Sequence, residues 1–229
     1  MIATPDALTA LPVEILFGGS FDPVHIGHQA VVQAAMNAFE SAHCRILPCK
    51  IPPHKQQLQA KENHRLAMLR LAFEGYEGVT IDPLELESSE TSYTLNTVKR
   101  LREQQGESLS MCFVLGEDSW LQFTSWYQWQ EILKYVNLLV VSRPPVNEAE
   151  NPSVLPEAQE AYRADNQIEL AQIKFHKCGK IAQLPMHAVD AASTNIRRSL
   201  SEAKHSQTEI SAWVPAKVAH YISEFKLYH

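Results

Sequence analysis

Residues 15–28 read ILFGGSFDPVHIGH, and this stretch decides how the rest of the chain is read. A short apolar run at 13–17 predicts a buried strand, and the pair Gly18-Gly19 predicts a sharp end to it. Residues 28–39 (HQAVVQAAMNAF) place apolar side chains at helical spacing without Pro or Gly, which predicts an amphipathic helix. Strand, glycine turn and helix are the makings of an anion site. Glycines let a phosphate approach the backbone, and a helix start offers unpaired N–H groups and a positive dipole end. His25 and His28 stand three apart, so both imidazoles can face one side of the first helical turn. Two imidazoles beside a phosphate cradle suit the stabilisation of charge in phosphoryl or nucleotidyl transfer. A purely structural pair, or half of a metal site, is the alternative, although no cysteine or carboxylate cluster nearby completes a metal site.

Working outward, a chain of 229 residues has room for one α/β domain with its own core. A net charge of −6 gives no broad case for binding nucleic acid or an anionic membrane, so an anionic substrate needs a locally basic pocket. The cysteines (Cys44, Cys49, Cys112, Cys178) lack CxxC spacing, as expected of thiols in a reducing compartment. The opening MIATPDALTALP lacks the basic and apolar regions of a secretory signal, and no run reaches membrane-spanning length. These features predict a soluble cytoplasmic protein. Residues 1–12 are expected to be an arm and 13–229 the domain, with 146–177, polar and proline-bearing, a variable insertion. A homo-oligomer stays open.

Further strands are predicted at 44–48, 79–86, 110–115, 137–141 and 180–184, and helices at 64–73, 94–104, 130–135, 193–200 and 215–225. The continuous apolar run SMCFVL at 110–115 is typical of a parallel sheet covered on both faces. Strands alternating with helices argue for a Rossmann-like, doubly wound parallel sheet in a single domain with a small helical C-terminal part. Ligands in such sheets sit at the carboxyl ends of the strands, where the candidate loops fall.

Four later stretches bear on substrate. In PPHK, Lys55 sits on a loop stiffened by proline and could meet a phosphate, although a solvated lysine fits equally well. SYTLNT offers N–H groups around Thr94 at a helix start, suited to a carboxylate or phosphate. GEDS and the tryptophan-rich run after it offer Asp118 for ribose hydroxyls and aromatic faces for a planar ring; for Trp126 and Trp129 core packing is the competing reading. In STNIR, Arg197 with Ser193 and Thr194 opens a helix where a guanidinium can grip phosphate oxygens.

The first stretch resembles the GGxFDPxHxGH signature of the HIGH-superfamily nucleotidylyltransferases at every specified position. The ordered set GGSFDPVHIGH, PPHK, SYT, GEDS, SWYQW, SRP, STNIR and VPAKVAHYI resembles the bacterial nicotinate-nucleotide adenylyltransferase family over nearly the whole chain. That resemblance implies a Rossmann-like fold and adenylyl transfer from ATP to nicotinate mononucleotide in NAD biosynthesis, giving deamido-NAD and pyrophosphate with Mg²⁺ carried on the phosphates. It implies His25, His28 and Arg197 as catalytic residues. ATP would meet Gly18, Gly19, Ser20, Phe21, His25, His28, Asp118, Ser193, Thr194 and Arg197. Lys55, Thr94, Trp126 and Tyr127 would hold the mononucleotide, with no protein ligand for the metal. One position departs from the family, whose serine five residues before the arginine is here Ala192. Three rivals share part of the pattern. A sister nucleotidylyltransferase does not need the SYT and SWYQW runs in this order. A class I aminoacyl-tRNA synthetase needs a KMSKS-like loop that is missing, and a non-catalytic nucleotide sensor would not need both histidines.

Overall fold

The computed structural model describes residues 9–50, 58–88, 91–142, 155–187, 189, 191–202, 210 and 212–228. Six strands, β1 (Val13–Gly19), β2 (His43–Pro48), β3 (Val79–Ile81), β4 (Ser110–Leu115), β5 (Asn137–Ser142) and β6 (Ile181–Pro185), form one sheet. Their order is β3-β2-β1-β4-β5-β6 and every neighbouring pair is parallel, so the fold is the Rossmann-like doubly wound sheet. Helices α1 (Ile26–Ala38), α2 (Glu62–Ala72), α3 (Thr94–Gln105), α4 (Glu117–Leu121), α5 (Glu157–Asn166), α6 (Ser193–Ser201) and α7 (Ala216–Glu224) supply the connections and cover both faces.

Alternation along the strands divides the core in two. Ile15 and Phe17 of β1, Cys112 and Val114 of β4, and Leu139 and Val141 of β5 join α1, α2, α6 and α7 on one face. Leu16, Phe113, Leu115, Leu138 and Val140 point the other way, towards α3 and the tryptophan run. Each fully buried Ile or Leu contributes about 2 kcal/mol by leaving water. Residues 155–177 are built into this core: Ile173 is fully buried, its carbonyl accepts the Ser110 hydroxyl at 3.1 Å, and buried Gln159 donates to the Trp120 carbonyl. Among the described residues no helix is long and apolar enough to cross a membrane.

The strand order reverses between β1 and β4. Their pairing ends at Leu16 with Phe113, while β1 continues along β2 to pair Gly18 with Leu47 and Gly19 with Pro48. The two strands therefore part at their carboxyl ends, leaving the crevice in which such sheets take ligands.

Several bounds differ from expectation for identifiable reasons. The glycine pair is the end of β1 rather than the turn, because β2 extends far enough to pair with it. Helix α1 starts at Ile26, two residues early, following an extended His25. Strand β3 stops at Ile81 because the Asp82 carboxylate turns back to accept the Leu84 N–H at 2.9 Å, and Pro83 has no donor for a ladder. The run expected at 130–135 is a 3-10 helix over Trp129–Lys134. Pro215 precedes α7 in extended conformation rather than occupying its first turn.

Candidate active site

Each histidine owes its place to the start of α1. His25 has an extended backbone, and its N–H donates to His28 Nδ1 at 3.1 Å. The rings pack closely, centroids 3.7 Å apart and planes tilted by 31°, and His28 also meets the Phe21 ring at 4.9 Å. A side chain at Gly27 would put its Cβ 3.0 Å from the His25 ring, so any other residue there would push that ring away from the helix start. At Gly19 a Cβ would come within 3.0 Å of the Phe21 ring. Phe21 is itself buried, leaving only its backbone to face a ligand.

Burial lowers the His25 pKa from 6.5 to about 4. Burial and then the adjoining His25 hold His28 well below its ordinary value. Both imidazoles are therefore neutral at physiological pH. Because His28 Nδ1 accepts a hydrogen bond, its proton sits on Nε2, which is a donor. His25 Nδ1 is buried with no partner among the described residues.

The loop between β1 and α1 is held from three sides. The Asp22 carboxylate, 1% exposed, accepts the N–H groups of Gln59 and Ala60 at 2.9 and 3.0 Å and the Tyr228 hydroxyl at 2.8 Å. The Asp22 carbonyl accepts Arg197 Nη1 at 2.6 Å, and the Pro23 carbonyl accepts the Ser193 hydroxyl at 2.9 Å. Arg65, fully buried on α2, donates to the Ser20 carbonyl at 2.7 Å and the Lys50 carbonyl at 3.1 Å. Arg197 is thus brought to the histidine loop, with Nη2 3.3 Å from Thr194 Oγ1 and other N–H donors left over. Ala192, which precedes α6 in extended conformation, provides no side-chain cap.

On the other side of the crevice, Asp118 is exposed in the first turn of α4, directly after β4. Trp126 is partly buried, meeting Phe113 edge-on at 6.3 Å and Phe123 at 5.5 Å. Trp129 packs between Phe123 and Tyr162, and Trp120 is buried on Phe123. Tyr127, 48% exposed, lies against the Tyr93 ring at 4.7 Å, so the SYT and SWYQW runs meet beside Thr94. Lys55 lies outside the described residues.

Asp22 and Gly27 lie in the first motif without an assigned role, and Arg65 and Tyr228 lie outside every stretch read as functional. Arg65 did carry a signal: it occupies the stripe Arg65, Met68, Leu69 and Ala72 that α2 buries, and a charge on an apolar stripe needs a reason. Helical spacing in the sequence also puts Leu66, Leu69 and Phe73 on one face, and that face passes Arg65 by. Tyr228 carried none.

A glycine-ended strand, two closely packed imidazoles at the next helix start and an arginine-bearing helix locked to their loop thus lie together at the carboxyl end of β1. The chain belongs to the cytidylyltransferase-like family, whose model matches residues 16–199. Within it, the chain is similar to bacterial proteins named probable nicotinate-nucleotide adenylyltransferase. That of Saccharophagus degradans is 34% identical, covering 94% of this chain and 96% of its own. That of Yersinia pestis is 32% identical, with 93% and 94% covered. The fold also matches the Plasmodium falciparum nicotinic acid mononucleotide adenylyltransferase complexed with NaAD, with a TM-score of 0.69, 18% identity and 95% and 97% covered.

Proposed function

We propose that the chain transfers the adenylyl group of ATP to nicotinate mononucleotide, forming deamido-NAD and pyrophosphate in NAD biosynthesis. The observation that carries this reading is the pair of neutral, closely packed imidazoles at the start of α1, tied through Asp22 and Pro23 to Arg197 and Ser193. The named relatives support the choice of acceptor.

An oxygen of the mononucleotide phosphate attacks the α-phosphorus in line. The bond from that phosphorus to the α–β bridging oxygen breaks, and pyrophosphate leaves with its electrons. No protein nucleophile takes part, so the protein's work is positioning and charge stabilisation. Backbone N–H groups of Ser20 and Phe21 and that of Gly27 at the start of α1 receive phosphate oxygens, with Gly18 and Gly19 leaving room for them beside the backbone. His28 donates from Nε2 to an oxygen that gains charge in the transition state, with His25 beside it, while Arg197 and Thr194 take the triphosphate tail. Asp118 accepts ribose hydroxyls. ATP enters as its Mg²⁺ complex, the ion offsetting phosphate charge. Phosphate oxygens and water are taken as its ligands, as is usual for this ion.

For the acceptor, the first N–H groups of α3 have no carbonyl within the helix to meet. With backbone near Tyr127 they make a pocket of donors for the nicotinate carboxylate, and Trp126 lies along the pyridine ring. Lys55 is assigned to the acceptor phosphate from the sequence alone. The test is pyrophosphate release from ATP and Mg²⁺ with nicotinate mononucleotide, nicotinamide mononucleotide and phosphopantetheine offered in turn. Turnover with another acceptor and none with nicotinate mononucleotide would overturn the reading.

A further inference from the structure

Transfer requires two loops to meet within bonding distance of one phosphorus: the nucleotide loop after β1 and the acceptor loop before α3. They lie far apart in the chain, yet one run of hydrogen bonds joins them. Arg65 donates to Ser20 of the nucleotide loop and, through the same guanidinium, to the Lys50 carbonyl. The Lys50 N–H donates to the Ser92 hydroxyl at 3.2 Å, and its ammonium to the Ser88 carbonyl at 3.0 Å. Ser92 hydrogen-bonds the carboxyl of Glu85, which also accepts the Thr97 hydroxyl at 2.7 Å in the first turn of α3.

Stability alone does not account for Arg65. A buried guanidinium is costly to desolvate, and an apolar side chain of similar volume is often as stable or more so. Among the described residues its Nε has no partner, and the Ser20 and Lys50 carbonyls receive its hydrogen bonds. What the planar fork supplies is a fixed spacing between those carbonyls, which lysine cannot reproduce.

We infer that Arg65 is a positioning residue that couples the two substrates. The Arg65–Lys50–Ser92–Glu85 run holds both loops in one register, so whichever substrate arrives first sets the loop that receives the second. ATP and the acceptor then bind with positive cooperativity, equal in both directions by linkage. The inference rests on the acceptor loop assigned above.

The test measures the dissociation constant of nicotinate mononucleotide by calorimetry, with and without a saturating ATP analogue whose α–β bridge is a methylene. Wild-type protein is expected to bind the mononucleotide about tenfold tighter with the analogue present, within the usual range of coupling. In Ser92→Ala and Arg65→Lys that factor falls below about twofold, while the affinity for either ligand alone changes by less than about threefold. Ser92→Thr, which keeps the hydroxyl, restores it. A merely structural role lowers the melting temperature and leaves the factor intact. Ser92→Ala severs one neutral hydrogen bond and keeps the test alive if Arg65→Lys does not fold. A wild-type factor near one, or variants that retain the tenfold gain, overturns the inference. If wild-type protein ignores nicotinate mononucleotide but turns over another phosphate acceptor, the functional reading fails separately, and the coupling is judged by the same criteria with that acceptor.

Discussion

Acidification should weaken the free protein through the histidine pair, by an amount the site's geometry allows to be worked out. Folded His25 has a pKa of about 4, against 6.5 in the ordinary state. Above pH 6.5 the ring is neutral whether the chain is folded or not, and it contributes no pH dependence. Between 6.5 and 4 the unfolded chain binds a proton that the folded chain refuses, so stability falls as pH falls. At pH 5 this linkage amounts to about 2 kcal/mol for His25 alone, and His28, shifted in the same direction, adds to it. In a domain of this size 2 kcal/mol lowers the melting temperature by roughly 4–8 °C. Other groups also titrate over this range, so the decisive quantity is a difference between proteins. Thermal unfolding of wild type and His25→Gln is compared at pH 8 and pH 5 without nucleotide. The wild type should lose about 2 kcal/mol more than the variant. Equal losses would show that burial does not keep His25 neutral, and the assignment of uncharged donors to this site would fall with it.

Other outcomes follow from the same contacts. His28→Ala should lower kcat by about 100-fold to 1000-fold with little change in ATP affinity, since its donor is assigned to charge that develops in the transition state; weakened ATP binding at unchanged kcat would make it a binding residue only. Nicotinamide mononucleotide should be a poorer acceptor by about 100-fold or more in kcat/KM, because its amide N–H₂ faces donors; equal use of the two acceptors would refute a donor-lined pocket. Trp126→Ala should raise KM for the mononucleotide and spare that for ATP, whereas a lower melting temperature with unchanged KM would place Trp126 in the core alone. Tyr228→Phe should cost about 1.5–3 kcal/mol by removing a hydrogen bond to the buried Asp22 carboxylate, seen in chemical denaturation. No change there would mean that Asp22 finds another donor.

The fold was legible because its signals are local and periodic. The wholly buried run of β4 announced a sheet covered on both faces, and the alternation of strand and helix fixed its doubly wound class. Bounds slipped where a side chain turned the backbone, as Asp82 does after β3 and His28, accepting the His25 N–H, does before α1. The histidine loop was legible for the same reason as the sheet. A phosphate cradle is one continuous strand-turn-helix segment, so its chemistry is written in consecutive residues. Placing Tyr127 beside Thr94 needed the family resemblance, because the ring that joins them, Tyr93, has no periodic signature.

The residues that hold the site together are another matter. Ser193 meets Pro23 across 170 positions of sequence, and Tyr228 meets Asp22 across 206. Arg65, Arg197 and Ser193 all donate to backbone carbonyls, and a carbonyl is present at every position. An acceptor that any residue provides leaves no mark on the residue that provides it. Such a contact can therefore be read only from the donor's side, as a polar group where the pattern demands an apolar one. Arg65 on the buried stripe of α2 meets that condition and Tyr228 does not, since an aromatic ring near a chain end fits many surroundings. The same asymmetry bears on the experiments. Removing a donor such as Arg65 leaves two fixed carbonyls without a partner at one stroke, while changing Ser20 or Lys50 leaves their carbonyls where they were. The loops' register should thus be sensitive to Arg65 and nearly indifferent to the side chain of Ser20, a contrast that a simple loss of packing would not produce.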